Sequence, residues 1–196
     1  MISERIALFG TSADPPTLGH KTILTWLAQH YDRVAVWASD NPFKVQQTPL
    51  EHRMKMMELL VASLAEPNVV LVPALSHPRS LETVTCARQI WGDRAQLVLA
   101  IGSDLVPQLP HWHQIEQLLA EIELAIIPRP GHDPRPEDLD YLAARGGRWQ
   151  LVPLAAPAVS STAYRQCEDP DAVAPAVRDY IAREHLYAEC QTPPRR

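Results

Sequence analysis

Short apolar runs alternate with stretches of helical periodicity along the whole chain. Six runs read as strands: Ile6-Ala7-Leu8-Phe9, Val34-Ala35-Val36-Trp37, Val69-Val70-Leu71-Val72, residues 96–101, Leu124-Ala125-Ile126-Ile127 and Gln150-Leu151-Val152. They are mostly apolar throughout rather than alternating, as strands buried on both faces are. Between them apolar residues recur three and four apart. Residues 49–65 place Leu50, Met54, Met57, Val61 and Leu64 on one helical face, and residues 21–30 do the same with Ile23, Trp26, Leu27 and His30. Residues 81–91, 113–122 and 173–185 read as further helices. Strands separated by helices predict an α/β fold, a doubly wound, mostly parallel sheet with helices on both faces. Ligands of such sheets bind beyond the carboxyl ends of the strands. The proline-rich stretch 128–136 reads as a loop and not a boundary, so a single domain is expected over residues 1–190. Its C-terminal helical part would cover about 158–188, and residues 191–196 would be a frayed tail.

The first strand runs into Gly10-Thr11-Ser12-Ala13-Asp14-Pro15-Pro16-Thr17-Leu18-Gly19-His20, and a helix follows. A strand end meeting a helix N-terminus collects unpaired backbone N–H groups and the positive end of the helix dipole, which favours anions. Gly10 and Gly19 permit close backbone approach, Thr17 offers a hydroxyl and His20 an imidazole. These residues together describe a phosphate site.

This loop resembles the T/HxGH signature of the nucleotidyltransferases, with Thr17-Leu18-Gly19-His20 in register. Gly10, Asp14, Pro15, Pro16, Gly19 and His20 also match the GGTFDPPHxGH form of nicotinate mononucleotide adenylyltransferases, while Thr11, Ser12, Ala13 and Thr17 depart from it. Four later segments resemble the same family in order: Asn41-Pro42-Phe43-Lys44 followed by Arg53; Gly102-Ser103-Asp104 with Leu109-Pro110-His111-Trp112-His113; Arg129-Pro130-Gly131; and Val159-Ser160-Ser161-Thr162-Ala163-Tyr164-Arg165. Arg53 alone reads as a solvated helix residue; beside the signature loop, phosphate contact becomes about as good a reading. Arg79-Ser80-Leu81-Glu82-Thr83 fits the family's Tyr-Thr-x-Asp-Thr run less well, lacking the Tyr and carrying Glu for Asp.

The resemblance implies a Rossmann-like nucleotidyltransferase fold and adenylyl transfer from ATP to nicotinate mononucleotide, giving deamido-NAD and pyrophosphate. It implies catalytic roles for His20, Thr17, Lys44 and Arg165. ATP and its phosphates would meet Gly10, Thr11, Ser12, Gly19, Arg129, Ser160, Ser161 and Thr162. The pyridine nucleotide would meet Asp14, Thr83, Asp104, Trp112 and His113. A pyridinium ring stacked on an indole gains dispersion and cation–π attraction, about 0.5–2 kcal/mol. Mg²⁺ would ride mainly on substrate phosphates, with no protein metal cage. Metal ligation by His111 and His113 lacks a nearby third ligand.

Composition narrows this further. The 196 residues are 46% hydrophobic, with a formal net charge of −5, which leaves no broad basic surface for nucleic acid. Nothing resembles a signal peptide or a membrane span. Cys86, Cys167 and Cys190 lack metal spacing and are expected as free thiols of a cytoplasmic protein. The expected partners are the small molecules ATP and nicotinate mononucleotide, with no nucleic acid and no membrane; a homo-oligomer is open. Two other readings stay in view. A sister enzyme would use nicotinamide mononucleotide or phosphopantetheine as acceptor. A non-catalytic module would bind ATP without turning it over, with Thr11, Ala13 and Thr17 as marks of lost activity. A class I aminoacyl-tRNA synthetase fragment shares this loop type, but the chain is short, acidic and without a KMSKS-like segment.

Overall fold

The computed structural model describes residues 3–40, 47–154 and 159–187. In chain order these form β1 (Arg5–Thr11), α1 (Leu18–His30), β2 (Arg33–Ala38), α2 (Leu50–Ala62), β3 (Val69–Leu71), a 3₁₀ turn (Pro73–Leu75), α3 (Ser80–Trp91) and β4 (Gln96–Gly102). A longer 3₁₀ helix (Ser103–His111) follows, then α4 (Ile115–Glu121), β5 (Glu123–Ile127), α5 (Pro136–Ala144), β6 (Arg148–Leu151), α6 (Ser161–Arg165) and α7 (Pro175–Arg183). All five strand pairings are parallel, in the order β3-β2-β1-β4-β5-β6. The expected doubly wound sheet is present.

Strand order reverses between β1 and β4, and the sheet splits there. β1 and β4 pair only as far as Leu8 and Leu99. Beyond that point β1 stays paired with β2 out to Thr11 and Ala38, while β4 stays with β5 out to Gly102 and Ile127. The two halves diverge into a crevice at their carboxyl ends, where such sheets bind ligands.

Each face of the sheet has its own core. Phe9, Leu24, Leu27, Met56, Met57, Leu60, Val177 and Ile181 pack one face against α1, α2 and α7. Leu8, Trp37, Val84, Leu99, Leu118 and Leu142 pack the other against α3, α4 and α5. Burial on both faces is why the strands are continuous apolar runs.

Two expectations need correction, and one element was not expected. The inner face of α2 is Arg53, Met56, Met57 and Leu60, while Leu50, Met54, Val61 and Leu64 are only partly buried. Helix α5 rises out of the proline-rich stretch: Pro136 sits at its first turn, where a missing N–H costs nothing, and Arg135 clasps Asp138 through two hydrogen bonds of 2.9 and 3.0 Å. Cys167 is disulfide-bonded and not a free thiol; Cys86 is free. No helix among the described residues is long and apolar enough to cross a membrane. The expected tail, residues 191–196, lies outside the described residues.

Candidate active site

The loop between β1 and α1 lies at the split in the sheet. Helix α1 begins at Leu18 rather than at Lys21, with Thr17 as its N-cap and His20 as the third helical residue. That position usually carries Glu or Gln to receive the cap's backbone N–H; here the imidazole does so. The Thr17 N–H donates to His20 Nδ1 at 2.9 Å, and Thr17 Oγ1 lies 2.9 Å from the same nitrogen. A backbone N–H can only donate, so Nδ1 accepts and the ring proton is on Nε2. Nε2 sits 2.9 Å from Thr11 Oγ1. Burial, helped by the nearby Arg129 charge, lowers the His20 pKa to about 4. At neutral pH it is an uncharged imidazole presenting a fixed N–H donor.

The rest of the loop is gripped from several directions. Ala13 adopts a left-handed φ of 49°, which costs a residue with a Cβ about 1 kcal/mol or more. Carbonyls on both sides of it are held. Arg53, 2% exposed, donates to Ser12 O at 2.9 Å, Ser39 O at 2.7 Å and Thr48 O at 2.7 Å. Arg165 donates to Asp14 O at 2.6 Å, and Ser161 Oγ to Pro15 O at 2.7 Å. Tyr187 Oη donates to Asp14 Oδ1, and the Leu18 N–H reaches Ala172 O at 2.7 Å. Arg53 is thus neither a solvated residue nor, in this arrangement, turned outward to phosphate; it is a buried clamp on the loop backbone.

Across the split, the Arg129 N–H donates to Ser103 Oγ at 2.8 Å, and its guanidinium to Asp104 Oδ2 at 2.8 Å. Asp104 Oδ1 is buried, with no hydrogen-bond donor among the described residues. Gly102 makes room for it, since a Cβ there would lie 2.4 Å from Oδ1. Gly19 packs against Val159, and Gly10 against the Trp37 indole. The crevice thus presents the neutral His20 N–H donor and the guanidinium groups of Arg129 and Arg165 around a backbone turn, an arrangement suited to a polyanion.

The family model described as cytidylyltransferase-like matches residues 8–167. The chain belongs to the cytidylyltransferase-like family. A Synechocystis protein named "Probable nicotinate-nucleotide adenylyltransferase" is 43% identical, over 94% of this chain and 100% of that protein. A Myxococcus xanthus protein of the same description is 33% identical, over 96% and 97%. Among solved structures, Plasmodium falciparum nicotinic acid mononucleotide adenylyltransferase complexed with NaAD superposes with a TM-score of 0.80. It shares 19% identity and covers 94% of this chain and 98% of that one, which establishes the shared fold.

The remaining residues expected from the cytidylyltransferase-like motifs divide into two groups. The Ser160–Arg165 motif and the signature loop, 140 residues apart in sequence, are in direct contact through Ser161 and Arg165. Ser160 caps α6 by accepting from the Ala163 N–H at 3.0 Å, and Arg165 also reaches Thr162 Oγ1 at 3.5 Å. By contrast, Thr83 is 2% exposed and its hydroxyl donates to Leu75 O, so it ties α3 to the preceding turn and offers no surface to a nucleotide. Asp14 is 4% exposed and engaged by Tyr187, so it too serves the loop and not a ligand. Trp112 caps the C-terminal end of the longer 3₁₀ helix, whose second residue is Asp104; it is half-buried against the second core, with His111 and His113 exposed beside it. Lys44 lies outside the described residues.

Sequence reasoning missed Tyr187 altogether and misread Arg53. A signal for Arg53 existed: it precedes Met56, Met57 and Leu60 by three, four and seven residues, the spacing of one helical face. Nothing local marks Tyr187.

Proposed function

We propose that the chain transfers the adenylyl group of ATP to nicotinate mononucleotide, producing deamido-NAD and pyrophosphate for NAD biosynthesis. The single observation that carries the chemistry is the neutral His20, whose Nε2–H is aimed from the head of α1 at the split in the sheet. The 43% identical relative supports the acceptor.

An oxygen of the acceptor's 5′-phosphate attacks the α-phosphorus of ATP in line. The bond between that phosphorus and the bridging oxygen breaks, and pyrophosphate leaves with the electron pair. No protein nucleophile is needed; the chain's task is to position two polyanions and neutralise their charge. His20 Nε2–H donates to the α- and β-phosphates, with Lys44 and Arg129 as the cations that steady the triphosphate, while Thr17, 1% exposed and with its hydroxyl against Nδ1, holds the imidazole in place. Arg165 acts through the Asp14 carbonyl, and its guanidinium edge adds to the positive field at the loop. Asp104 Oδ1, buried and lacking a donor, accepts from a ribose hydroxyl. Trp112 provides the face on which the pyridine ring stacks.

A divalent cation, Mg²⁺ in this reading, would supply charge neutralisation for the substrate phosphates. In the same proposal the ion would be held mainly by substrate oxygens and water, as Mg²⁺ commonly is with nucleotide phosphates. A cytoplasmic setting, with its supply of ATP, belongs to the same proposal.

Incubation with ATP, Mg²⁺ and nicotinate mononucleotide, with products resolved by mass, tests the proposal. Equimolar deamido-NAD and pyrophosphate are expected. Nucleotide hydrolysis without a dinucleotide product overturns it.

A further inference from the structure

We infer that the Thr11 hydroxyl is a positioning group for His20: it holds the Nε2 proton while the site is empty and turns its own proton onto the incoming phosphate. This rests on the adenylyl-transfer reading of the site.

β1 stays paired to β2 through Thr11 and Ala38, so the Thr11 backbone is fixed although β4 has already left its side. Side chains alternate along a strand, so Thr11 points to the same face as Phe9, the face covered by α1. There its Oγ1 meets His20 Nε2 at 2.9 Å. The imidazole cannot turn away, because its other nitrogen is held by the Thr17 N–H. The direction of the Thr11 bond follows: Nε2–H donates and Oγ1 accepts. The hydroxyl's own proton is then left to point elsewhere, and no acceptor for it is found among the described residues. Thr is also β-branched, which restricts χ1 and keeps the hydroxyl in place.

A phosphate oxygen that accepts from His20 must come within about 3 Å of Nε2, the place Oγ1 now occupies. Two outcomes satisfy every group. The phosphate oxygen shares the Nε2–H with Oγ1, or it takes over that bond while Oγ1 donates to the same phosphate. Either way the α-phosphate meets two donors, and His20 is never left with an unpaired N–H in a partly buried site. A glycine at this position, as in the signature form that the loop resembles, would leave Nε2 to water in the empty site.

Thr11→Val keeps the shape of the side chain and removes the hydroxyl; Thr11→Gly removes both; Thr11→Ser keeps the hydroxyl. With ATP and nicotinate mononucleotide, Thr11→Val and Thr11→Gly should each lose about tenfold in kcat, less than a lone oxyanion donor because His20 remains. KM for nicotinate mononucleotide should stay within about twofold, and Thr11→Ser should recover most of kcat. In the substrate-free protein, the His20 Nε2 proton should be a slowly exchanging NMR resonance in the wild type and Thr11→Ser, and be lost to exchange in Thr11→Val. Wild-type kcat in Thr11→Val, or Thr11→Ser as slow as Thr11→Val, overturns the inference. If the wild type fails to use nicotinate mononucleotide, the proposed function falls separately, and the Nε2 resonance still decides whether Thr11 holds His20.

Discussion

Tyr187 Oη donates to Asp14 Oδ1 at 2.5 Å, fastening the end of the described chain to the loop that opens α1. Burial, reinforced by the Asp14 carboxylate, pushes the Tyr187 pKa well up, so the phenol is a donor at any working pH. Its partner carboxylate is 4% exposed and 4.0 Å from Arg165. The signature loop therefore takes its shape from residues that follow it by more than 140 positions.

Tyr187→Phe removes the donor and leaves the ring, which packs edge-on against Tyr164. A hydrogen bond to a buried carboxylate contributes about 1.5–3 kcal/mol. Urea denaturation should show a loss in that range, with kcat falling less than in His20→Ala. An unchanged midpoint would mean that solvent replaces the phenol without cost.

Arg53 donates to three backbone carbonyls, after β1, after β2 and before α2, and so ties together one flank of the crevice. Arg53→Met retains an apolar stem on the inner face of α2 but abandons all three acceptors, and a loss of about 3 kcal/mol or more is expected. Arg53→Lys keeps the charge without the planar fork and should fall between. Thermal midpoints order the three proteins; Arg53→Lys matching the wild type would contradict the clamp.

His20 gives stability a pH dependence of known sign. In the folded chain it stays neutral down to about pH 4, whereas the unfolded chain protonates near its ordinary value of 6.5. Between those values the unfolded state binds more protons, so stability falls as pH drops from about 6.5 toward about 4. His20→Gln should lack this contribution. Urea midpoints at pH 7 and pH 5 for both proteins test it, and equal slopes would contradict it. His20→Ala should also lower kcat by about a hundredfold or more.

Gly10 is required by a side chain and not only by a ligand. A Cβ there would lie 2.5 Å from Trp37 Cζ2 and 2.6 Å from Cε2, inside the second core. Gly10→Ala should destabilise by about 1–3 kcal/mol through overpacking. Trp37→Leu in the same protein should recover part of that loss, and a double variant no better than Gly10→Ala would contradict the stated cause.

The six strands were legible because burial on both faces leaves an uninterrupted apolar run, and the crevice because Gly10 to His20 starts at the end of one of them. The contact between Thr17 and His20 was hidden, because the sequence pattern starts the helix at Lys21 and leaves both residues in the loop before it. Arg53 was hidden too, because the helix face was drawn through its apolar residues and a buried guanidinium breaks that pattern. Asp14 and Thr83 were assigned to a ligand, but a polar residue in a motif looks the same whether its partner is substrate or backbone. Helix α5 was hidden by the prolines that precede and start it. Ser161 to Pro15 and Tyr187 to Asp14 are pairings across most of the chain, and no local periodicity records them.

The central claim is the choice of acceptor, and parallel rates of pyrophosphate release test it most directly. With ATP and Mg²⁺ held constant, kcat/KM is measured for nicotinate mononucleotide, nicotinamide mononucleotide and phosphopantetheine. The account predicts an advantage of about tenfold or more for the nicotinate substrate, the 1.4 kcal/mol or so that one well-placed polar contact supplies. Equal or faster turnover of either other acceptor would contradict it, as would ATP binding with no turnover of any of the three.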